Sequence, residues 1–150
     1  MSYTYKYARP ALTTDCVVFT RDSGLLKVLL VRRKYEPFKG KWALPGGFMN
    51  TGKTLEQCVL RELEEETGLT NINPRQLHAF SSPDRDPREH VVSVVFYAMA
   101  GPSSRKTRAG DDAAEAEWFD INNVPPLAFD HANILLMARK QVDNNPANHP

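Results

Sequence analysis

Two stretches, ALTTDCVVFT at 11–20 and LLKVLLVRR at 25–33, are rich in apolar and β-branched residues, and Asp22, Ser23 and Gly24 stand between them. Strand-forming runs separated by turn residues predict a β-hairpin. A hairpin sets its strands antiparallel, so a sheet built on it cannot be purely parallel. Shorter strands are expected at 42–44, where Pro45, Gly46 and Gly47 then force a sharp turn, and at 75–80, 90–100 and 116–119. One helix is expected over 55–67, and a second over DHANILLMARKQV with Asp130 as its N-cap. Strands interleaved with two helices predict an α/β fold, a sandwich around a mixed sheet. The 150 residues show no repeat and no linker, which implies a single domain with its core over about 9–142. Asn and Pro in the closing DNNPANHP predict a flexible tail over 143–150.

Several functional classes are disfavoured at this level. With 41% apolar and 25% charged residues and no long apolar run, a membrane span is not expected. The opening MSYTYKYARP has neither an apolar h-region nor a small-residue cleavage site, so the expected location is cytoplasmic. A net charge of +1, with basic pieces as short as RRK at 32–34, argues against direct nucleic-acid binding. Cys16 and Cys58 lack metal or redox spacing and are expected as buried thiols. His78, His90 and His131 read as structural or surface residues, with His131 just inside the second helix.

The first helix carries the chemistry. Thr54 followed by Gln57 is a capping box, and Gly68 suits the position just past the last turn. At 100° per residue, Leu55, Cys58 and Val59 set the inward face, and Glu62, Glu65 and Glu66 continue it, whereas Glu56 and Glu64 fall away. The Glu62/Glu66 like-charge pair costs roughly 0.2–0.5 kcal/mol, and acids near a helix C-terminus oppose its dipole by roughly 0.3–1 kcal/mol more. A bare EE pair is ordinarily a solvated acidic run. Here Arg61 stands beside the cluster and the Gly46-Gly47 turn leads into the helix, which favours a site for Mg²⁺ or Mn²⁺, ions that take hard oxygen ligands.

The segment GFMNTGKTLEQCVLRELEEETGL, residues 47–69, resembles the Nudix box: Gly, five residues, Glu, seven residues, then Arg-Glu-apolar-x-Glu-Glu-x-Gly-apolar. Gly47, Arg61, Glu62, Leu63, Glu65, Glu66, Gly68 and Leu69 match. The resemblance extends from about residue 9 to 137. It implies a Nudix-type α/β/α sandwich with a mixed sheet, in which Glu62, Glu65, Glu66 and the Gly46 carbonyl hold Mg²⁺ (or Mn²⁺) for hydrolysis of a nucleoside diphosphate derivative. At one position the chain departs from the pattern: Lys53 stands where the box has its first glutamate. In the family that glutamate supports the arginine or metal-bound water, so Lys53 either weakens metal binding and leaves Arg61 without its partner, or turns to solvent or a substrate phosphate and leaves the three ligands able to hold metal; the second is favoured, and metal-dependent turnover is expected to persist.

Outside the box, RPALTTDCVVF, VRRKYEPFKGKWALPGGF, SSPDRDPR and FDHANIL resemble the ADP-ribose pyrophosphatase branch of the family. That implies water attack on ADP-ribose to give AMP and ribose 5-phosphate. Gly47, Phe48 and Arg85 become candidates for gripping the nucleotide, with a core phenylalanine and a loop arginine paired to Asp84 or Asp86 as the competing readings. Glu115, three residues before Trp118, could add a further acid to the catalytic set, with Asp111, Asp112 and Glu117 nearby; an exposed acidic loop explains them equally. NADH, a sugar nucleotide or an oxidised dNTP are alternative substrates. A sensor that binds ADP-ribose without cleaving it is an alternative of another class, supported by Lys53. The resemblance also leaves room for a homodimer paired through TYKYARP.

Overall fold

The computed structural model describes residues 2–106 and 113–144. The hairpin forms as expected. β1 (Ala11–Asp22) and β2 (Leu25–Arg33) pair antiparallel from Phe19↔Val28 to Asp22↔Leu25. Ser23 and Gly24 turn the chain with φ of 55° and 81°, the left-handed conformation that glycine adopts without steric cost. β3 (Trp42–Ala43) pairs antiparallel with Val31 and Arg32 of β2, on the edge that β1 has left. The Gly46-Gly47 turn differs from expectation: it is itself part of a strand, β4 (Gly46–Phe48), antiparallel to Thr13–Asp15 of β1. Three residues with two glycines carry too little side chain to announce a strand.

After helix α1 (Leu55–Thr67) come β5 (Arg75–Phe80), β6 (Val91–Met99), β7 (Ala113–Asp120) and helix α2 (His131–Asp143). The sheet runs β3-β2-β1-β6-β5, with β7 on β2 and β4 on β1. β1 and β6 are parallel over nine paired positions from Ala11↔Val91, and the named pairs elsewhere are antiparallel. The sheet is therefore mixed.

Side-chain alternation distributes the core between two faces. Cys16, Val18, Leu29 and Phe96 pack with Val59, Leu63 and Leu69 on the α1 side. Val17, Phe19, Val28, Leu30 and Val95 pack with Ile134, Leu135, Ala138 and Val142 of α2. Each fully buried Phe, Leu or Val contributes roughly 1.5–3 kcal/mol, so both layers are held by the same central strands. Cys16 and Cys58 are buried free thiols, as expected. Among the described residues, no helix is long and apolar enough to cross a membrane.

One topological detail positions the site. β1 pairs with β2 over Phe19–Asp22 but with β4 over Thr13–Asp15, so the two central strands part between those segments. The mouth of that fork is closed by the chain entering α2: Ala128 N–H donates to the Trp42 carbonyl at 2.8 Å, and Leu44 N–H donates to His131 Nδ1 at 3.0 Å.

Candidate active site

A cavity of about 430 Å³ occupies the fork, reached by side chains from β1, β2, β4, α1, the 82–90 loop and the start of α2. Its acidic wall comes from α1. Thr54 Oγ1 accepts from Gln57 N–H at 3.0 Å and Gln57 Oε1 accepts from Thr54 N–H at 2.9 Å, so the capping box forms and fixes where the helix begins. Gly68 ends it at φ 76°. Glu62 and Glu66, one turn apart on this rigid element, are both buried and line the cavity. Glu56 and Glu64 are exposed, as expected.

Glu65 departs from the three-acid expectation: it is exposed, and its Oε2 accepts from Arg61 Nη1 at 3.2 Å. A residue one position before Glu66 lies 100° round the helix, far enough to reach solvent. Arg61 Nη1 also pairs with Glu62 Oε1 at 2.9 Å, while its Nη2 is buried without a hydrogen-bond partner. Burial would lower the Arg61 pKa, but the charges of Glu62 and Glu65 outweigh it and hold the pKa above the ordinary value.

Glu66 reaches the opposite strand, where its Oε1 accepts from Gly46 N–H at 2.9 Å. Burial pushes its pKa up to about 9, against the pull of that hydrogen bond, and nearby Glu62 adds to the rise. Burial raises Glu62 as well. Gly47 has a steric role: a Cβ there would lie 2.6 Å from the Glu62 carboxylate, so any side chain would displace the acid. Two buried carboxylates thus converge where their own charges are penalised, an arrangement that a bound cation relieves. Among the described residues no three acidic, His or Cys side chains are gathered around one point. The donor set fits an ion such as Mg²⁺, which takes one or two carboxylates and fills its remaining positions with water and phosphate oxygens.

The facing wall is basic and aromatic, and most of it was missed from the sequence. Arg33 and Arg88 both line the cavity. Burial lowers the Arg33 pKa, and the neighbouring Arg88 lowers it further, so these two guanidinium groups are close enough to repel. Arg88 is held by Asp86 through Nε at 3.0 Å and Nη2 at 2.8 Å, and lies 5.1 Å from the Phe48 ring centre and 5.8 Å from that of Phe129. Arg33 lies 5.0 Å from Phe129. Phe129 and Phe38 have φ of 53° and 62°, a region costly for bulky residues, and meet edge to face at 4.7 Å. Backbone strain of this kind gathers at functional sites.

Phe48 lines the cavity and is exposed, so the core reading of it is excluded. Arg85 also lies at the cavity, but its guanidinium is committed to neither Asp84 nor Asp86. It forms a bidentate pair with Asp130 at 2.7 and 2.9 Å, with 5% of its side chain exposed. This corrects the expectation for Arg85 as a free substrate-gripping group. It also explains why Asp130, at the N-cap position of α2, makes no side-chain cap. Nothing in SSPDRDPR distinguishes Arg85 from Arg88; the difference is created by α2, which comes 45 residues after Arg85 and brings Asp130 to it.

Glu115 is corrected too. It sits on β7 opposite Arg32, and its Oε1 pairs with Arg32 Nη1 at 2.8 Å, on a half-exposed surface outside the cavity lining. Glu117 is exposed strand surface beside it, and Asp111 and Asp112 lie outside the described residues. His90 bonds the Ser81 carbonyl at 2.9 Å and His78 packs edge to face on Phe80, both structural roles. His131 differs, being buried and part of the cavity lining.

A NUDIX domain model matches residues 9–138. The chain is 50% identical over 129 residues to an ADP-ribose pyrophosphatase of Methanocaldococcus jannaschii, covering 86% of this chain and 73% of that one. The NUDIX domain of Shewanella oneidensis NrtR, solved with ADP ribose, superposes with a TM-score of 0.87 at 35% identity, covering 93% of this chain and 94% of that one. A bifunctional NMN adenylyltransferase/ADP ribose pyrophosphatase of Francisella tularensis, solved with AMP and a Mn ion, superposes with a TM-score of 0.76 at 31% identity over 91% of this chain and 43% of that one. With the box on a capped helix, its acids facing a cavity, and these matches over most of its length, the chain belongs to the Nudix hydrolase family.

Proposed function

We propose that this protein hydrolyses ADP-ribose to AMP and ribose 5-phosphate with the help of Mg²⁺ or Mn²⁺. The observation that carries the reading is the cavity itself, in which a wall of paired buried carboxylates faces a wall of guanidinium and aromatic groups. A diphosphate flanked by sugars and a purine needs both: cation-held oxygens on one side, and positive charge with flat apolar surface on the other.

In this reading Glu62 and Glu66 hold the ion, with the Gly46 carbonyl and Glu65 as further oxygens at the edge. Arg61 fixes the Glu62 carboxylate through its 2.9 Å pair and acts on the reaction through that acid. Gly47 keeps the space that Glu62 occupies. When bound, a divalent ion neutralises the diphosphate and activates the attacking water as a Lewis acid. Arg88 and Arg33 hold phosphate oxygens, and Phe48, open to solvent on one side, receives the base. Arg85 is a positioning residue, since its pair with Asp130 ties the 82–90 loop to the start of α2. Water adds to one phosphorus, the bridging oxygen leaves with the other phosphate, and AMP and ribose 5-phosphate result.

The same reading makes the chain one cytoplasmic domain that works on a small-molecule nucleotide without direct nucleic-acid contact. The exposed Tyr3, Tyr5 and Tyr7 supply a surface for a homodimer. A second reading, a sensor that holds ADP-ribose intact, is favoured by one observation: Lys53 is exposed, and Arg61 Nη2 is buried without the partner that an acid could provide. Incubation with a nucleotide panel and Mg²⁺ or Mn²⁺, followed by chromatography of the products, separates the two. AMP plus ribose 5-phosphate is expected. Tight ADP-ribose binding with no products would overturn hydrolysis in favour of sensing, and cleavage of NADH, a sugar nucleotide or an oxidised dNTP in preference would reassign the substrate.

A further inference from the structure

Two buried polar residues of the cavity have no part in holding the ion or the phosphates as described above. Asp15, on β1, is 8% exposed, and His131, at the start of α2, is 4% exposed; both line the cavity. Ser93, fully buried on the neighbouring strand β6, donates its hydroxyl to Asp15 Oδ2. That leaves Oδ1 on the side of β4, where a Cβ on Gly46 would fall 2.2 Å from it. The glycine at 46 therefore clears space for this carboxylate as well as presenting its N–H to Glu66.

His131 is oriented with equal definition. Its Nδ1 accepts from Leu44 N–H at 3.0 Å, so in the neutral ring the proton is on Nε2. Burial lowers its pKa, which keeps the ring neutral, and the nearby Asp15 carboxylate opposes that lowering. An acceptor with one oxygen anchored and a donor with one nitrogen anchored thus stand against the same short segment, His131 on Leu44 and Asp15 beside Gly46, with Cys16 N–H donating to the Pro45 carbonyl at 3.0 Å between them.

We propose that Asp15 and His131 form a hydroxyl-recognition pair that binds a ribose of the nucleoside diphosphate substrate. A hydroxyl both donates and accepts, so it satisfies the Asp15 carboxylate and the His131 Nε2–H together. The position selects a sugar: Asp15 adjoins Gly46, and Gly46 adjoins Glu66 of the acidic wall, while a ribose is the part of the substrate directly esterified to the diphosphate. A buried polar pair built for a hydroxyl also discriminates strongly against a ligand that lacks it, because the pair is then left unmatched. The inference rests on the nucleotide reading above but not on turnover.

The test measures, by calorimetry with Mg²⁺, the affinity of wild type, Asp15→Asn and His131→Asn for the non-hydrolysable α,β-methylene analogue of ADP-ribose. Counterparts lacking a 2-hydroxyl on either ribose, or carrying hypoxanthine in place of adenine, complete the panel. His131→Asn retains an oxygen able to accept from Leu44 N–H, while its shorter side chain leaves the amide N–H groups short of the position that Nε2–H occupies, so it carries the test even where Asp15→Asn does not fold. Each variant is expected to bind the parent analogue about 10- to 100-fold more weakly than wild type. With one of the deoxy analogues that difference is expected to shrink to within about twofold, and with the hypoxanthine analogue to persist in full. Equal losses on parent and both deoxy analogues would show a merely structural role and overturn the proposal. So would no loss at all, or a loss that vanishes only with hypoxanthine, which would assign the pair to the base. Wild type that binds the analogue yet leaves ADP-ribose intact overturns hydrolysis and leaves this test standing.

Discussion

The two walls of the cavity are made in opposite ways. The acidic wall, Arg61 through Glu66, is one continuous segment of a capped helix, and helical periodicity alone places Glu62 and Glu66 on a common face. The basic and aromatic wall is assembled from Arg33 on β2, Phe48 on β4, Arg88 in the 82–90 loop and Phe129 before α2, residues separated by as much as 96 positions. The first wall holds repelling acids on a rigid scaffold and needs a counter-charge. The second holds repelling guanidinium groups that are partly neutralised already, Arg88 by Asp86 and Arg85 by Asp130. A local element can therefore concentrate one sign of charge, but placing the opposite sign across from it takes the whole fold.

The sharpest way to break this contrast is at Glu66. Glu66→Gln is expected to lower metal-dependent turnover about 1,000-fold at saturating Mg²⁺, a loss of several kcal/mol in charge stabilisation. It should leave the melting temperature unchanged or higher, because with a pKa near 9 the metal-free carboxyl is already neutral at pH 7. A lost melting temperature with retained turnover would make the acidic wall structural.

On the other wall the order reverses. Arg85→Leu strands the Asp130 charge and is expected to cost roughly 3 kcal/mol in urea denaturation, whereas Arg85→Leu with Asp130→Leu should recover most of it. Arg88→Gln removes a less buried guanidinium, and the expected result is KM for ADP-ribose raised about tenfold with kcat within about threefold; an equal fall in kcat would place Arg88 at the transition state instead.

A smaller effect follows from His131. Its folded pKa lies below the ordinary value, so as pH falls through about 6.5 the unfolded chain takes a proton that the folded chain refuses. Stability is expected to decline toward acid by at most about 1.4 kcal/mol per pH unit and to be unaffected by this group above about pH 7.5. His131→Asn should remove that dependence in melts between pH 5 and 8. Smallest is Lys53→Glu, expected to raise turnover by up to about fivefold by giving Arg61 a further partner, on the scale of an exposed ion pair. A wild type with no turnover that Lys53→Glu restores would identify Lys53 as the residue that makes a sensor of the site.

Wherever the controlling interactions were local, the sequence was legible. The hairpin turn at Ser23-Gly24, the Thr54/Gln57 box, the Gly68 stop and the inward face carrying Glu62 and Glu66 each follow from residues within a few positions of one another. The inward orientation expected of Glu65 failed because a stripe drawn on a helix does not say where the neighbouring strands stop covering it. Glu115 failed because cross-strand pairing with Arg32 decides which surface β7 presents. Arg85 and Arg88 were interchangeable in the sequence, and a partner 45 residues away chose between them.

By itself, then, the sequence determined the mixed α/β sandwich and the paired acids of α1, since periodicity, capping and turn chemistry act over a few residues and need no tertiary information, and it carried the family in the resemblance of residues 47–69 to the Nudix box. Only the tertiary structure decided that β1 and β2 part to open a cavity, that Asp15 and His131 are buried in it, and that Arg33 and Arg88 line it with Arg85 beside them tied to Asp130. Those outcomes depend on strand register and on charges brought together from distant segments, and such long-range pairings are selected by burial and electrostatics only once the chain has closed around them.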